Sequence, residues 1–151
     1  MVAIIAVAGG ASWWLAANSD PAGSVSQRDQ ALSAAKSSVP LILSYSYQDF
    51  DASVRKADAE LTGRAGTDYL TAMNTTIKAP AIKAKLIVAA QTDTAGVESV
   101  SADGTQVTVV VFGEQKVTNS SLSTPRIDPF RVRATMDLVA GHWKVAKFDQ
   151  L

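Results

Sequence analysis

The chain has 151 residues, of which 47% are hydrophobic, so it is about one domain long and can build a substantial core. Lys plus Arg and Asp plus Glu each number 14, and this zero net charge argues against a domain dedicated to nucleic-acid binding. Cysteine is absent, which excludes disulfides, thiol chemistry and cysteine-based metal sites.

The first 17 residues form an apolar segment without a charged side chain. A membrane-spanning helix needs ~20 apolar residues, so we interpret residues 1–17 as a transmembrane anchor that is shortened at its start. Its paired tryptophans suit the lipid–water boundary. The residues expected to contact the membrane are Ile4, Ile5, Val7, Trp13, Trp14 and Leu15.

Two alternatives to an anchor remain for this segment. A cleaved secretion signal would normally begin with positive charge, which is missing here. An apolar helix packed on the domain is the other alternative. The polar residues 18–26 are predicted to be a linker, and we expect the domain at 27–151 to lie outside the cytoplasm.

Three helices are predicted in the first half of the chain. Apolar residues recur at three- and four-residue steps over 27–47, where Pro40 is expected to cause a kink or a break just before it. Residues 51–61 form the second helix, which Gly63 is expected to close in a left-handed conformation. The third helix is predicted over 67–78, and Pro80 is expected to end the helical half.

The second half changes to a strand pattern. Residues 85–93 are a strand candidate that extends over 97–101, with a bulge or kink expected at Gly96. Asp103 and Gly104 predict a turn. The β-branched run at 106–117 is apolar on both faces and is therefore predicted to be a central strand.

The remaining residues predict a loop and a terminal hairpin. Residues 119–129 are expected to form the loop, and 130–139 alternate between apolar and polar side chains. Ala140 and Gly141 predict a two-residue turn before the last strand. Helices followed by an antiparallel meander indicate an α+β fold in which the sheet curls around a helical layer.

No catalytic constellation is visible in the sequence. His142 is the only histidine, and its position beside a turn glycine is typical of a solvent-facing hairpin residue. Asp49 and Asp51 could be proposed as an acid and a base, but helix capping explains them better. We therefore predict no catalytic residues, no bound metal, no cofactor and no enzymatic activity.

A set of short motifs resembles the Mce-associated membrane proteins of mycobacteria and related actinobacteria. This similarity covers about residues 27–151 and consists of a Y-x-Y element before a short acidic-capped helix, an L-T-G helix end and a V-x-G-x-W-x-V hairpin. The matching positions are Tyr45, Tyr47, Asp49, Asp51, Leu61, Thr62, Gly63, Gly141, Trp143 and Val145.

The resemblance implies a fold and a role. Members of the family resemble the periplasmic domain of a type IV secretion assembly factor, which implies the cone-shaped fold of nuclear transport factor and ketosteroid isomerase. The family is single-pass, with an external C-terminal domain, and is thought to assist Mce lipid-uptake transporters. The implied partners are the membrane, subunits of an Mce-type complex and a lipid.

Two functions follow as hypotheses. The first is a non-enzymatic accessory or scaffold protein that stabilises the transporter through protein–protein contacts. The second is the binding of a lipid or sterol at the mouth of the cone, or an isomerase-like reaction there. An open cone would favour the second, and a filled cone would exclude it. The residues expected to line a pocket or an interface are Tyr45, Tyr47, Phe112, Met136 and Trp143.

Overall fold

The computed structural model describes residues 22–151, so the predicted anchor at 1–17 lies outside the described residues. The helices are α1 (Ala22–Leu43), α2 (Phe50–Asp58), α3 (Gly63–Ala72) and α4 (Lys78–Ala84), with a π-helical turn (Met73–Ile77) between the last two. The strands are β1 (Tyr45–Ser46), β2 (Ile87–Val100), β3 (Gln106–Thr118), β4 (Arg126–Val139) and β5 (His142–Gln150). Within residues 22–151, none of the helices has the length and apolarity to cross a membrane.

The five strands form one antiparallel sheet in which neighbours in sequence are neighbours in space, in the order β1-β2-β3-β4-β5. The predicted α+β meander is therefore confirmed, and β3 has a partner on each side, as predicted. Ala140 and Gly141 form the predicted two-residue turn with φ values of 49° and 81°. Two positive φ values match the twist of the flanking strands, which favours this turn type in hairpins.

The core lies between α1 and the inner face of the sheet. Helix α1 presents a stripe of small and branched side chains at helical spacing: Ala31, Ala35, Val39 and Ile42, all buried. Because two of these are alanines, the helix axis can approach the sheet closely. The sheet contributes alternate residues, of which Val107, Val109 and Val111 of β3 and Val132, Ala134 and Met136 of β4 are fully buried.

Pro40 does not break α1, which continues to Leu43. A proline inside a helix leaves the carbonyl four residues earlier without its N–H donor. Here that carbonyl belongs to Lys36, and it accepts a hydrogen bond from the Thr92 hydroxyl of β2 at 3.1 Å. The sheet therefore supplies the donor that the proline lacks.

The boundaries of α1 differ from the prediction. The helix begins at Ala22, within the stretch predicted as a linker, and it ends at Leu43 instead of continuing to residue 47. The hydroxyl of Ser44 donates to the carbonyl of Pro40 at 2.6 Å, where a further helical turn would have continued. Tyr45 is consequently part of a short strand that pairs with Val88 of β2.

The prediction that Pro80 ends the helical half is wrong, since helix continues to Ala84. The π-helical turn over Met73–Ile77 directly precedes the helix that contains Pro80, and it changes the hydrogen-bond pattern before the proline is reached. Gly63 has the expected left-handed φ of 58°, but it begins α3 instead of ending α2. The residue that closes α4 in a left-handed conformation is Lys85, with a φ of 53°.

Two strand details also differ from the predictions. Strand β4 begins at Arg126, so the loop predicted up to residue 129 is shorter. The bulge expected at Gly96 is absent there, because Gly96 pairs directly with Val110. The register of β2 against β3 shifts instead between Thr92 and Thr94 and between Val97 and Ser99. Gly113 of β3 pairs with Thr92 at the first shift, but the residues of β2 that are left without a partner, Asp93 and Glu98, are not glycines.

Candidate functional site

A cavity of about 740 Å³ separates two apolar clusters of the domain. The main core lies between α1 and the sheet, and the smaller cluster joins Phe50, Val54, Met73 and Ala81. Tyr69 packs against both clusters, which otherwise do not merge. The wall of the cavity comes from the end of α1, from α3 with the π-helical turn, and from the end of β5. A volume of this size lies within the range of ~300–1,000 Å³ that is typical of small-molecule sites.

A register shift in β5 creates one wall of this cavity. Thr135 pairs with Lys147, but the next residue, Met136, pairs with Val145, so Ala146 has no opposite partner in β4. One extra residue reverses which side chains face inward. Trp143 and Val145 therefore point into the core before the bulge, whereas Ala146 and Phe148 line the cavity after it.

Two tyrosines line this cavity, Tyr69 from α3 and Tyr45 from β1. The Tyr69 hydroxyl is buried and has no hydrogen-bond partner among residues 22–151. Burial raises the pKa of Tyr69 to about 12, and the nearby Asp58 carboxylate and Tyr45 add to this effect. Burial also raises the pKa of Tyr45. Both phenols are therefore neutral at ordinary pH, and Tyr69 is an unused hydrogen-bond donor.

The charged residues around the cavity are paired with one another. Arg64 contacts Asp68 at 3.2 Å, and Lys147 contacts Asp149 at 2.8 Å. Gln115 of β3 is also hydrogen-bonded within the protein, because its side-chain amide donates to the carbonyl of Leu43 at 3.1 Å. The lining consequently has apolar walls, one unpaired buried hydroxyl and a rim whose charges cancel.

Two of the motifs that suggested the family resemblance, the L-T-G segment and the terminal hairpin, contact each other. The L-T-G segment pairs with β5, where the Thr62 amide donates to the Val145 carbonyl at 2.9 Å and the Val145 amide donates to the Glu60 carbonyl at 2.8 Å. The Glu60 side chain accepts a 2.6 Å hydrogen bond from the buried Ser38 of α1. These bonds fasten the α2–α3 connection to both the last strand and the first helix.

The five residues predicted for a pocket or an interface lie in different places. Tyr45 lines the cavity and contacts Phe50 edge-on, with ring centroids 5.7 Å apart. Tyr47 is half-buried but does not line the cavity. Met136 and Trp143 belong to the main core, with exposures of 0% and 8%.

Phe112 does not fill the cone. It lies on the outer face of the sheet with 41% of its surface exposed, and the guanidinium of Arg131 sits 5.9 Å from its ring centroid. The apolar residues of β3 that do fill the interior are the odd-numbered valines. The cone is thus filled beneath α1 by Met136 and Trp143 but open at the Leu43 end of α1. It is neither fully open, as expected for a binding protein, nor fully filled, as expected for a pure scaffold.

The other residues that the sequence analysis considered for catalysis lie outside the cavity lining. His142 is exposed at the start of β5, as predicted. Asp49 occupies the N-cap position of α2 without a capping hydrogen bond from its side chain, and Asp51 pairs with Lys78 at 2.7 Å. Residues 22–151 contain no group of three metal-binding side chains. The predicted anchor residues Ile4, Ile5, Val7, Trp13, Trp14 and Leu15 lie outside the described residues.

Sequence reasoning misses Tyr69 and Phe148 as cavity residues. The helical pattern places Tyr69 on the buried side of a helix, and nothing in that pattern distinguishes a core tyrosine from one beside a cavity. Phe148 faces the cavity only because of the bulge at Ala146. The one signal in the sequence is that Ala146 interrupts the alternation of the last strand.

No family model matches the chain, and no curated protein matches it. Solved structures do match. An IcmL-like type IV secretion system protein from Legionella pneumophila has a TM-score of 0.69 at 11% identity, covering 82% of this chain and 91% of its own. CagV, a VirB8 homolog from the Helicobacter pylori type IV secretion system, has a TM-score of 0.64 at 16% identity, with coverages of 81% and 96%.

A third similar structure is a periplasmic fragment of TraM, with a TM-score of 0.60 at 11% identity and coverages of 81% and 95%. At these identities the similarity establishes the fold alone. It confirms the predicted cone-shaped α+β architecture, in which helices pack on an antiparallel sheet, across nearly all of the described residues.

Proposed function

We propose that this chain is a non-enzymatic accessory protein, held on the outer face of a membrane by residues 1–17, that stabilises an Mce-type lipid-uptake transporter through protein–protein contacts. The observation that carries the proposal is the shared fold. Two of the matching structures are named as type IV secretion system proteins, and a third is named as a periplasmic fragment. The fold therefore occurs in components of envelope assemblies, while the motif resemblance is what points to a lipid transporter.

The outer face of the sheet is the surface we assign to the partner. Phe112 and Ile127 are 41% and 51% exposed, and strand alternation places Pro129 and Arg131 on the same face. Exposed aromatic residues beside arginine are enriched at the energetic centres of protein interfaces. The face also carries the Glu98–Arg133 ion pair at 2.7 Å, which adds a directional polar contact at its side.

Deletion tests the role in the organism that encodes the chain. Removing the protein is expected to lower the amounts of the other transporter subunits in the membrane fraction, measured by quantitative immunoblotting. Complementation with the wild-type gene should restore those amounts. Unchanged subunit levels after deletion would contradict the proposal.

A surface variant separates the interface from the fold. Phe112→Asp should fail to restore the subunits, because it replaces the exposed aromatic ring beside Arg131 with a carboxylate. Ile82→Asp is the matched control, since Ile82 is 48% exposed but lies on α4. It should complement fully. Equal complementation by both variants would remove this face from the proposal.

A further inference from the structure

The cavity between the two apolar clusters has features of a binding site that the scaffold role does not require. Its lining combines Ile42 and Leu43 of α1, Tyr69 and Met73 of the helical layer, and Phe148 of β5. The cavity of about 740 Å³ is half-open to solvent. An apolar molecule that entered it would therefore remove the apolar side chains of the lining from water.

The position of the polar groups indicates the kind of molecule that fits. The Tyr69 hydroxyl is the only buried polar side-chain atom of this lining that lacks a partner among residues 22–151. Leaving a buried donor unpaired costs roughly 1–3 kcal/mol, which a ligand with an acceptor oxygen would recover. Of the two glutamine amides in the lining, that of Gln115 donates to the Leu43 carbonyl, and that of Gln150 is exposed to solvent instead of buried.

The electrostatics select against a charged molecule. Each of the four charged rim residues has an opposite partner, in the pairs Arg64–Asp68 and Lys147–Asp149. The four rim charges therefore sum to zero, so the rim has no net charge to attract an anionic head group. The Asp58 carboxylate, which helps to raise the pKa of Tyr69, further disfavours negative charge beside that hydroxyl.

We propose that this cavity binds a neutral, predominantly apolar molecule whose ketone, ester or ether oxygen accepts a hydrogen bond from the Tyr69 hydroxyl. The chain length and exact scaffold of the molecule are set by the apolar walls, whereas its orientation is set by this one donor. The binding face lies at the Leu43 end of α1, about 30 Å along the helix from Ala22.

Methionine methyl groups report directly on this site. The chain has three methionines, of which Met73 lines the cavity and Met136 lies in the main core without contacting it. We would titrate the full-length protein in detergent, labelled at its methionine methyls, with 6-propionyl-2-dimethylaminonaphthalene, a neutral aromatic ketone. Nuclear magnetic resonance should show a saturable shift of the Met73 methyl and a stationary Met136 methyl.

The Tyr69→Phe variant tests the hydrogen bond. It is expected to bind the ketone roughly fivefold more weakly, which is the change in affinity given by the loss of one neutral hydrogen bond. It should bind the 6-propyl analogue, which lacks the oxygen, as well as the wild-type protein does. Tyr47→Phe is the matched control, because Tyr47 is half-buried but outside the cavity.

The Ala65→Trp variant tests the location, since Ala65 lines the cavity. It should abolish the Met73 response to both compounds, whereas Ala79→Trp on an exposed position of α4 should not. The proposal is overturned if neither compound moves Met73 in the wild-type protein, as would also happen if the cavity instead received a side chain of a partner protein. Equal ketone affinities for wild type and Tyr69→Phe would overturn the assignment of the donor.

Discussion

Replacing Gly113 with alanine is expected to destabilise the domain by roughly 3 kcal/mol, because the glycine is enclosed on two sides. Gly113 lies in β3 opposite Phe130, whose ring covers it. A Cβ atom at this position would lie 2.5 Å and 2.7 Å from two carbons of that ring and closer still to the carbonyl oxygen of Gln91. Ordinary contacts begin at about 3.4 Å, so the ring would have to move by about 1 Å and the carbonyl oxygen by more than that.

The two neighbours do not yield at equal cost. The Phe130 ring is 5% exposed and packed in the core, and the Gln91 oxygen is part of the β2 backbone. Moving that backbone weakens ladder hydrogen bonds, each with a net value of about 1 kcal/mol, and displacing the ring adds an overpacking cost of about 1–3 kcal/mol. The sum is of the order of 3 kcal/mol, a large part of the ~5–15 kcal/mol that stabilises a domain.

Chemical denaturation followed by circular dichroism measures this difference. Gly96→Ala is the matched control, because Gly96 lies in the adjacent strand, is exposed, and leaves open space within 4 Å of the point that an alanine Cβ would occupy. That variant should unfold within ~0.5 kcal/mol of the wild type, as expected for a surface substitution. Equal free energies of unfolding for Gly113→Ala and Gly96→Ala would refute the reasoning.

Three further predictions concern single polar groups. Ser38→Ala should lower the free energy of unfolding by about 1–2 kcal/mol, because it removes the hydrogen-bond donor to Glu60. The control Ser37→Ala should lower it by less than about 0.5 kcal/mol, because the Ser37 hydroxyl bonds only to carbonyls of its own helix. Equal losses for the two variants in urea denaturation would contradict this prediction. The pKa of Tyr69 is about 12 in the folded protein and 10.0 in the unfolded chain, so the unfolded chain loses this proton first as the pH rises. The stability that Tyr69 contributes below pH 10.0 should therefore decline between pH 10.0 and about 12. Tyr69→Phe should remove this part of the pH dependence in denaturation measured across the same range. Hydrogen bonds from the Ser101 hydroxyl and the Thr105 amide lower the pKa of Asp103 to about 2. Ser101→Ala should raise that pKa towards 3.8, which a carboxyl titration followed by nuclear magnetic resonance would measure. An unchanged pKa would show that the Ser101 hydroxyl has no such effect.

Much of the fold can be predicted because the relevant signals are local. The alternation from Phe130 to Met136 identifies the buried face of β4, and the Ala140–Gly141 pair identifies the last hairpin. The β-branched run of β3 predicts a strand with a neighbour on each side, although it does not show that Phe112 lies on the outer face. Both faces of that run are apolar, so alternation carries no information about which one is buried.

The cavity cannot be predicted because its causes are not local. It depends on the unpaired Ala146 in β5, on a π-helical turn that begins at Met73, and on the failure of two apolar clusters to merge. Pro40 and Pro80 show the same limitation in a different form. Each is tolerated because of a compensating feature, which for Pro40 is a hydroxyl from a strand more than fifty residues away in sequence.

The most direct test of the proposed function is photocrosslinking in living cells with benzoylphenylalanine at position 112 on the outer face of the sheet. We expect a crosslink to a subunit of an Mce-type transporter, identified by mass spectrometry of the membrane fraction, and none when the same group replaces Ile82. A transporter subunit that crosslinks equally from both positions, or from neither, would contradict the assignment of this protein as an accessory component that binds through that face.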